Sequence, residues 1–245
     1  MTRNISVQAV ILAHRRSEGQ HRRAVLLSPS LGLIEATAYG AKRGSLTGKI
    51  GQFTSGICEL YRNPARNTCK IVDFSPEEYR PYITSSLPVM YTASMISECI
   101  MRTFVGGGEY EELYHLTSAA LDALADESCR ERVVIQFLWR YLLISGFMAD
   151  VSHCASCGKP AEQRETLFLN RQDTALTCSR CADSQEQMLL PGARAYLAYT
   201  VSLSFSRALQ VQLSSDAVKT LKNLLIAYID QITEGTLRTI GSGMI

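Results

Sequence analysis

Two Cys-x-x-Cys pairs, Cys154 with Cys157 and Cys178 with Cys181, flank a 20-residue spacer in HCASCGKPAEQRETLFLNRQDTALTCSRCA. Two residues between thiolates let one tight turn aim both sulfurs at a single ion. The spacer is long enough to fold a hairpin that returns the second pair, which completes a tetrahedral sulfur site. Gly158, directly after the first pair, supplies the backbone freedom such a knuckle requires. Zn(II), one per chain, is the favoured ion. A sulfur-only site has no open position for activating water, so the expected role is structural. A redox dithiol needs one pair at a helix N-terminus and has no use for a second. An iron–sulfur cluster could use four thiolates, but no other feature points to electron transfer. His153 abuts the first pair, and a complete quartet leaves it no vacancy.

The remaining cysteines, Cys58, Cys69, Cys99 and Cys129, each stand alone and read as small buried hydrophobes. The chain has 245 residues, enough for a core that needs no disulfide staples. No apolar run reaches membrane-spanning length, and the apolar burst in MTRNISVQAVILAHRR is too short for a signal peptide. A cytoplasmic protein without membrane contact is expected.

The texture of the chain changes near residue 80. Up to Arg80, short β-type runs are broken by Gly, Asn and Pro, as in ISVQAVILAH and IGQFTSGICELYR. Such spacing argues for a small closed β-barrel. Beyond it come helical patterns: PVMYTASMISECIMRTFV, EYEELYHLTSAALDALAD and CRERVVIQFLWRYLLISGF. In the last, Val134, Phe137, Leu138, Tyr141 and Leu142 form an apolar face with Arg130, Arg132 and Arg140 at its edge. Two further helical segments follow the cysteines, the second opening on Ser-Ser-Asp, a start suited to an N-cap. The expected fold is therefore α+β and multidomain: a barrel over residues 1–80, then an all-helical domain over 81–245 carrying a four-cysteine zinc finger at about 150–186.

Charge divides along the same line. Up to Arg80 there are 12 Lys and Arg against 6 Asp and Glu, and beyond it 13 against 17. A basic first part joined to an acidic remainder implies different partners, the first polyanionic.

No stretch of the sequence has the pattern of an active site. GSLTGKI, at Gly44 to Ile50, is one residue short of a phosphate-binding loop and ends on Ile50 where a hydroxyl is needed. Gly106 to Gly108 read as a flexible connection between helices. The four histidines are dispersed, no carboxylates cluster, and Trp139 reads as core. A non-enzymatic binding function is expected.

Cations concentrate at two places in the barrel: Arg15, Arg16, Arg22 and Arg23 around the turn in HRRSEGQHRR, and Lys42, Arg43 and Lys49 in YGAKRGSLTGK. Tips of this kind approach phosphates, whereas bases are read by aromatic stacking, for which Tyr39 and Phe53 are available. These seven cations are the expected DNA contacts, tracking backbone more than sequence. The competing reading is a zinc-stabilised protein–protein scaffold with weak nucleic-acid affinity, and the salt dependence of single-strand binding separates the two.

VILAHRRSEGQHRRAVLLSPSLGLIEATAYGAKRG resembles the opening of RecO recombination-repair proteins, with a strand, a charged turn, a second strand and an Ala-x-Gly-Ala-[RK]-[RK] segment. The likeness continues through IGQFTSGICELYR, RVVIQFLWRYLLISGF and CASCGK, in the same order along the whole chain. The hairpin tip SEGQ and the cation-poor tail LRTIGSGMI depart from the pattern. The resemblance implies an N-terminal OB-fold, a helical domain and an embedded zinc finger. It further implies a nucleoid-associated mediator of the RecF pathway that binds and anneals single- and double-stranded DNA. Such a mediator joins RecR, is recruited by the C-terminal tail of single-stranded DNA-binding protein, and so helps RecA to load. That tail is acidic and apolar, which makes Arg130, Arg132 and Arg140 the expected partner-binding residues.

Overall fold

A computed structural model describes residues 3–15, 21–39, 45–66, 68–103, 110–170, 174–182, 187–233 and 235–245. The sites expected at Arg16, Lys42 and Arg43, and the glycines 44 and 106–108, lie outside these residues. The chain divides into two compact units, Met1–Ala125 and Asp126–Ile245.

The first unit is built on β1 (Asn4–Arg15), β2 (Arg22–Ser28), β3 (Gly32–Ala38), β4 (Ser55–Asn63) and β5 (Thr68–Glu78). They pair in the order β1-β2-β3-β5-β4, and β4 returns antiparallel to β1, which closes the sheet into a barrel. All pairs are antiparallel except β3 with β5, which meet in parallel at Thr37 with Lys70 and Ala38 with Ile71. Inward positions carry the core: Ala9, Ile11, Ala24, Leu26, Leu60 and Phe74 among others. β1 bulges between Ile11 and Ala13, and the segment before β4 is pinned there. Phe53 donates its N–H to the Ile11 carbonyl at 2.7 Å, and the Gln52 side chain donates to the Leu12 carbonyl at 3.0 Å. Phe53 sits at φ 63°, a left-handed conformation uncommon for an aromatic residue, and is 2% exposed. Its place in the sequence makes it available for base stacking. It is a core residue instead, because those hydrogen bonds hold it against the barrel.

Three helices, α1 (Pro81–Ser85), α2 (Leu87–Thr103) and α3 (Tyr110–Ala123), belong to the same unit. α2 packs on β1 and α3 on β2. The strands register this cover: Ala9 to Leu12 and Ala24 to Ser28 are buried on both faces, where an uncovered barrel strand would alternate. A Cβ at Gly32, which has φ +68°, would meet the ring of Tyr110 from α3. Where the sequence texture changes, near residue 80, the structure continues without a break between compact units. Arg80 supplies the physical reason. Its guanidinium is 1% exposed and donates to the Phe53 carbonyl and Ser55 Oγ, both at 2.8 Å, and to Glu78 at 2.7 Å on the barrel side. On the α3 side it donates to Asp122 at 2.7 Å and Ser118 at 2.9 Å.

The second unit centres on α4 (Arg130–Ile144), which packs against α7 (Ser215–Ile232). The sequence pattern shows α4 with one apolar face. In the fold it is buried nearly all round, since Val133, Ile135 and Trp139 are covered as well. Gln136, also fully buried, donates to Thr200 Oγ1 at 2.9 Å. Ser214 caps α7 by accepting from the Ala217 amide, and Lys222 of α7 donates to Glu131 at 2.7 Å. Between α4 and α7 lie the short strands β6 (Leu167–Leu169), β7 (Leu176–Cys178) and β8 (Gln187–Leu189), then α5 (Pro191–Thr200) and α6 (Phe205–Ala208). α8 (Arg238–Gly241) follows α7. Among the described residues, no helix is long and apolar enough to cross a membrane.

Arg80→Ala is expected to destabilise the Met1–Ala125 unit by about 3 kcal/mol, since removing one member of a buried ionic network strands its partners. Arg80→Lys should recover less than half, because one ammonium cannot span the same fork of acceptors. Urea unfolding monitored by circular dichroism measures both, and a loss under about 0.5 kcal/mol for Arg80→Ala would show that the network is not holding the unit together.

Candidate metal centre and nucleic-acid face

The four quartet sulfurs lie within 4.8 Å of one another. The first knuckle closes when Gly158, at φ +69°, donates its N–H to the Cys154 carbonyl at 2.9 Å. The second closes through amides of Cys181 and Ala182 on the Cys178 carbonyl, at 2.9 and 3.0 Å. The spacer turns back through β6, paired on one side with β7 and on the other with β8. The Ala155 amide donates to the Leu176 carbonyl at 2.9 Å and joins the first knuckle to β7. Arg194 of α5 donates to the Glu162 carbonyl and ties the hairpin to the helices.

Backbone amides favour the thiolate at two of the four sulfurs. Burial raises the Cys154 thiol, but the backbone amides of Cys157 and Cys178 outweigh it and bring it down to about 6. The Cys178 amide is seen donating to Cys154 Sγ at 3.2 Å. Cys178 is lowered mainly by the Arg180 amide. Cys181 is pushed up to about 11, chiefly by the neighbouring Cys178 sulfur. Sulfurs this crowded repel one another as thiolates, and a divalent cation between them removes the repulsion. Four convergent thiols therefore fit a thiolate-binding metal ion held by Cys154, Cys157, Cys178 and Cys181. His153 is turned to Asp150, at 2.9 Å.

The expected DNA cations are sorted by strand parity. Arg15 pairs with Arg23, and Arg23 with Thr37, so these positions share the outer face of β1, β2 and β3. The parallel pairing places Lys70 of β5 next in this row. Lys70 stands over the Tyr39 ring, 4.8 Å from its centroid, and His21 meets the same ring edge-on at 4.7 Å. Tyr39 is half exposed. Arg22 pairs with Ala38 on the inward parity and is half-buried at the barrel's end. There it lowers the pKa of His14, an effect second to burial. The adjacent arginines 22 and 23 thus point to opposite sides of the sheet. Arg15 is paired with Glu35 at 2.7 Å and Lys49 with Asp73 at 2.8 Å, so these two cations already have carboxylate partners. Lys70 escaped sequence reasoning because only strand pairing brings it onto Tyr39.

Of the expected partner-binding arginines, Arg130 donates to the Met244 carbonyl at 3.4 Å and Arg132 to Cys129 Sγ at 3.2 Å. Arg140 is engaged more fully. It donates to the carbonyls of Thr200 and Leu203 at 2.8 and 2.7 Å, where α5 ends, and lies over the Phe205 ring.

Residues 85–239 match the family model of the C-terminal part of recombination protein O. The chain belongs to the RecO family. The matched span begins in α1 and takes in the Cys quartet and all but the end of the second unit. Two relatives, the DNA repair protein RecO of Desulfitobacterium hafniense strains DSM 10664 / DCB-2 and Y51, are each 23% identical over 175 residues, 71% of this chain. The match covers 63% of those RecO proteins' own length, less than two thirds.

Protein purified without chelators is expected to carry one metal ion per chain, lost in Cys157→Ser. Cys157 is exposed, so a serine there would cost under about 0.5 kcal/mol if the thiol were not a ligand. As a ligand, its loss should lower the stability of the Asp126–Ile245 unit by more than about 2 kcal/mol. Elemental analysis and thermal unfolding measure both effects, and an unchanged melting temperature with no metal in the wild type would remove the centre.

Proposed function

We propose that this RecO-family chain is a DNA-binding recombination mediator that acts by holding strands and partners, without a catalytic step. The observation that carries the reading is the outer row of Arg23 and Lys70, with Thr37 between them, which ends on the half-exposed Tyr39. Cations aligned across one face of a sheet can follow a phosphate backbone, and an exposed ring offers a stacking platform that accepts any base. The closed order β1-β2-β3-β5-β4 supports an OB-fold assignment for residues 1–80, a fold whose second and third strands commonly face oligonucleotides. Residues 81–245 then form the partner-binding portion, with one structural Zn(II) in the Cys quartet.

In this reading the protein binds and anneals single and double strands in the cytoplasm at the nucleoid, joins RecR, and docks the tail of single-stranded DNA-binding protein so that RecA can load. The names of the relatives and the family match support the DNA-repair setting. Arg130 and Arg132 are the better candidates for the acidic tail, since Arg140 is occupied by carbonyls. The scaffold reading draws its support from the Arg15–Glu35 and Lys49–Asp73 pairs, which neutralise two of the expected contacts.

The double variant Arg23→Glu, Lys70→Glu should weaken binding to all single-strand sequences alike. It should also make the plot of log affinity against log salt shallower by about 1.4, the value for two lost phosphate contacts. Fluorescence anisotropy with a labelled oligonucleotide measures this. A wild-type slope near zero would favour the scaffold, and an unchanged slope in the variant would move the strand off this face.

A further inference from the structure

The barrel has a second cationic feature that the outer row does not include. The Arg62 amide donates to the Arg3 carbonyl at 2.8 Å, which extends the β1–β4 ladder one pair beyond Asn4 and Tyr61. Two residues further in, Ile5 pairs with Leu60, a member of the core. Side chains alternate along a strand, so Arg3 and Arg62 continue the row of Ile5 and Leu60 to the barrel's end, where both arginines are exposed and stand side by side. Like charges directly opposite in an antiparallel pair are destabilising. Among the described residues, neither guanidinium has a carboxylate within ion-pair distance.

Both arginines line a cavity of about 850 Å³, within the usual range for ligand pockets. Its walls include Leu31, Leu33 and Leu60. Glu35, the carboxylate on its wall, is taken up by Arg15 at 2.7 Å. The half-buried thiol of Cys69 also lines it. Burial raises that thiol and Arg62 lowers it, so the guanidinium's field reaches the cavity wall. The ligand chemistry that fits is an anion attached to an apolar or flat body. Position narrows the class: Cys69 is followed by Lys70, so the cavity begins where the cationic row with Tyr39 ends.

We propose that this cavity is a nucleotide pocket, in which single-stranded nucleic acid sets one phosphate on Arg3 and Arg62 and turns the adjoining base out of the stack into the hollow, between its leucine walls and the polar side chains of Asn63 and Thr68. The proposal rests on the reading of the barrel as a nucleic-acid-binding module. A single strand is the suitable ligand because its bases have no pairing to lose, which keeps the cost of turning one out low. One phosphate held by two guanidiniums also resolves the repulsion between them. The pocket would fix the strand's register on the barrel while the outer row sets its direction.

The test uses the full chain and a short single strand containing 2-aminopurine, whose emission rises when the base leaves the stack. Wild-type protein should bind and raise the emission. Arg3→Ala with Arg62→Ala should weaken low-salt binding by about ten-fold and make the salt slope shallower by about 0.7, one phosphate contact. Leu33→Trp, or Leu31→Trp at a second half-exposed wall position, should fill the hollow and abolish the emission rise while keeping the wild-type slope. Strand binding without an emission change, or an arginine double variant with wild-type affinity and slope, overturns the pocket and leaves the outer row standing. No wild-type binding to the strand at low salt overturns the barrel's role itself. A free deoxynucleoside monophosphate that competes as well as the strand would also overturn the proposal, in favour of a small-molecule site.

Discussion

The buried guanidinium of Arg80 governs the first half of the molecule. An arginine cannot shed its charge, so its burial is tolerable only when the whole fork of donors is met. Here the fork reaches a backbone carbonyl, a hydroxyl and a carboxylate on the barrel, and a hydroxyl and a carboxylate on α3. Those acceptors come from both sides of the junction between strands and helices. The barrel's outer surface over β1 and β2 is buried under α2 and α3, and Arg80 bonds the barrel to α3. One residue thus ties α3 to the strands that precede it. It also draws the carbonyl of Phe53 into its network, which keeps that residue's left-handed backbone in place.

The second unit solves a different problem. The segment carrying the Cys quartet has only three-residue strands, each contributing one or two buried leucines. Backbone amides lower the Cys154 and Cys178 thiols, and a metal ion held by the four sulfurs would offset their mutual repulsion, adding an electrostatic centre to the small apolar cluster of Leu167, Leu169, Leu176 and Leu189. α4 provides the opposite case, a helix so completely buried that its one interior amide, Gln136, must find Thr200, and its half-buried Arg140 must cap the carbonyls at the end of α5. An arginine at the edge of an apolar face can look free to bind a partner and yet be part of the packing.

The barrel distributes its cations by parity. Neighbours in sequence, such as Arg22 and Arg23, are sent to opposite sides, while residues far apart, such as Arg23 and Lys70 or Arg3 and Arg62, are brought onto one side by pairing. Arg15 and Lys49 stand beside carboxylates, so a count of positive charge overstates what is available to phosphate. The proposed strand path rests on the arrangement of the few cations that remain, with Tyr39 beside them.

Much of this was determined by the sequence alone. Metal-ligand spacing is a local property, so Cys154, Cys157, Cys178 and Cys181 could be named as one centre without coordinates, and Gly158 with them. The β-type texture before residue 80 and the helical periodicity after it are also local. The apolar runs Ala9 to Leu12 and Ala24 to Leu27 carried a further signal, since strands buried on both faces require a covering layer; texture alone drew the boundary at residue 80 and passed over it. Tertiary structure alone decided which of the described cations have carboxylate partners, which of Tyr39 and Phe53 is exposed, and where the compact units divide. Each of these depends on strand register and on buried polar partners distant in sequence, and a one-residue change of parity moves a side chain from solvent to core.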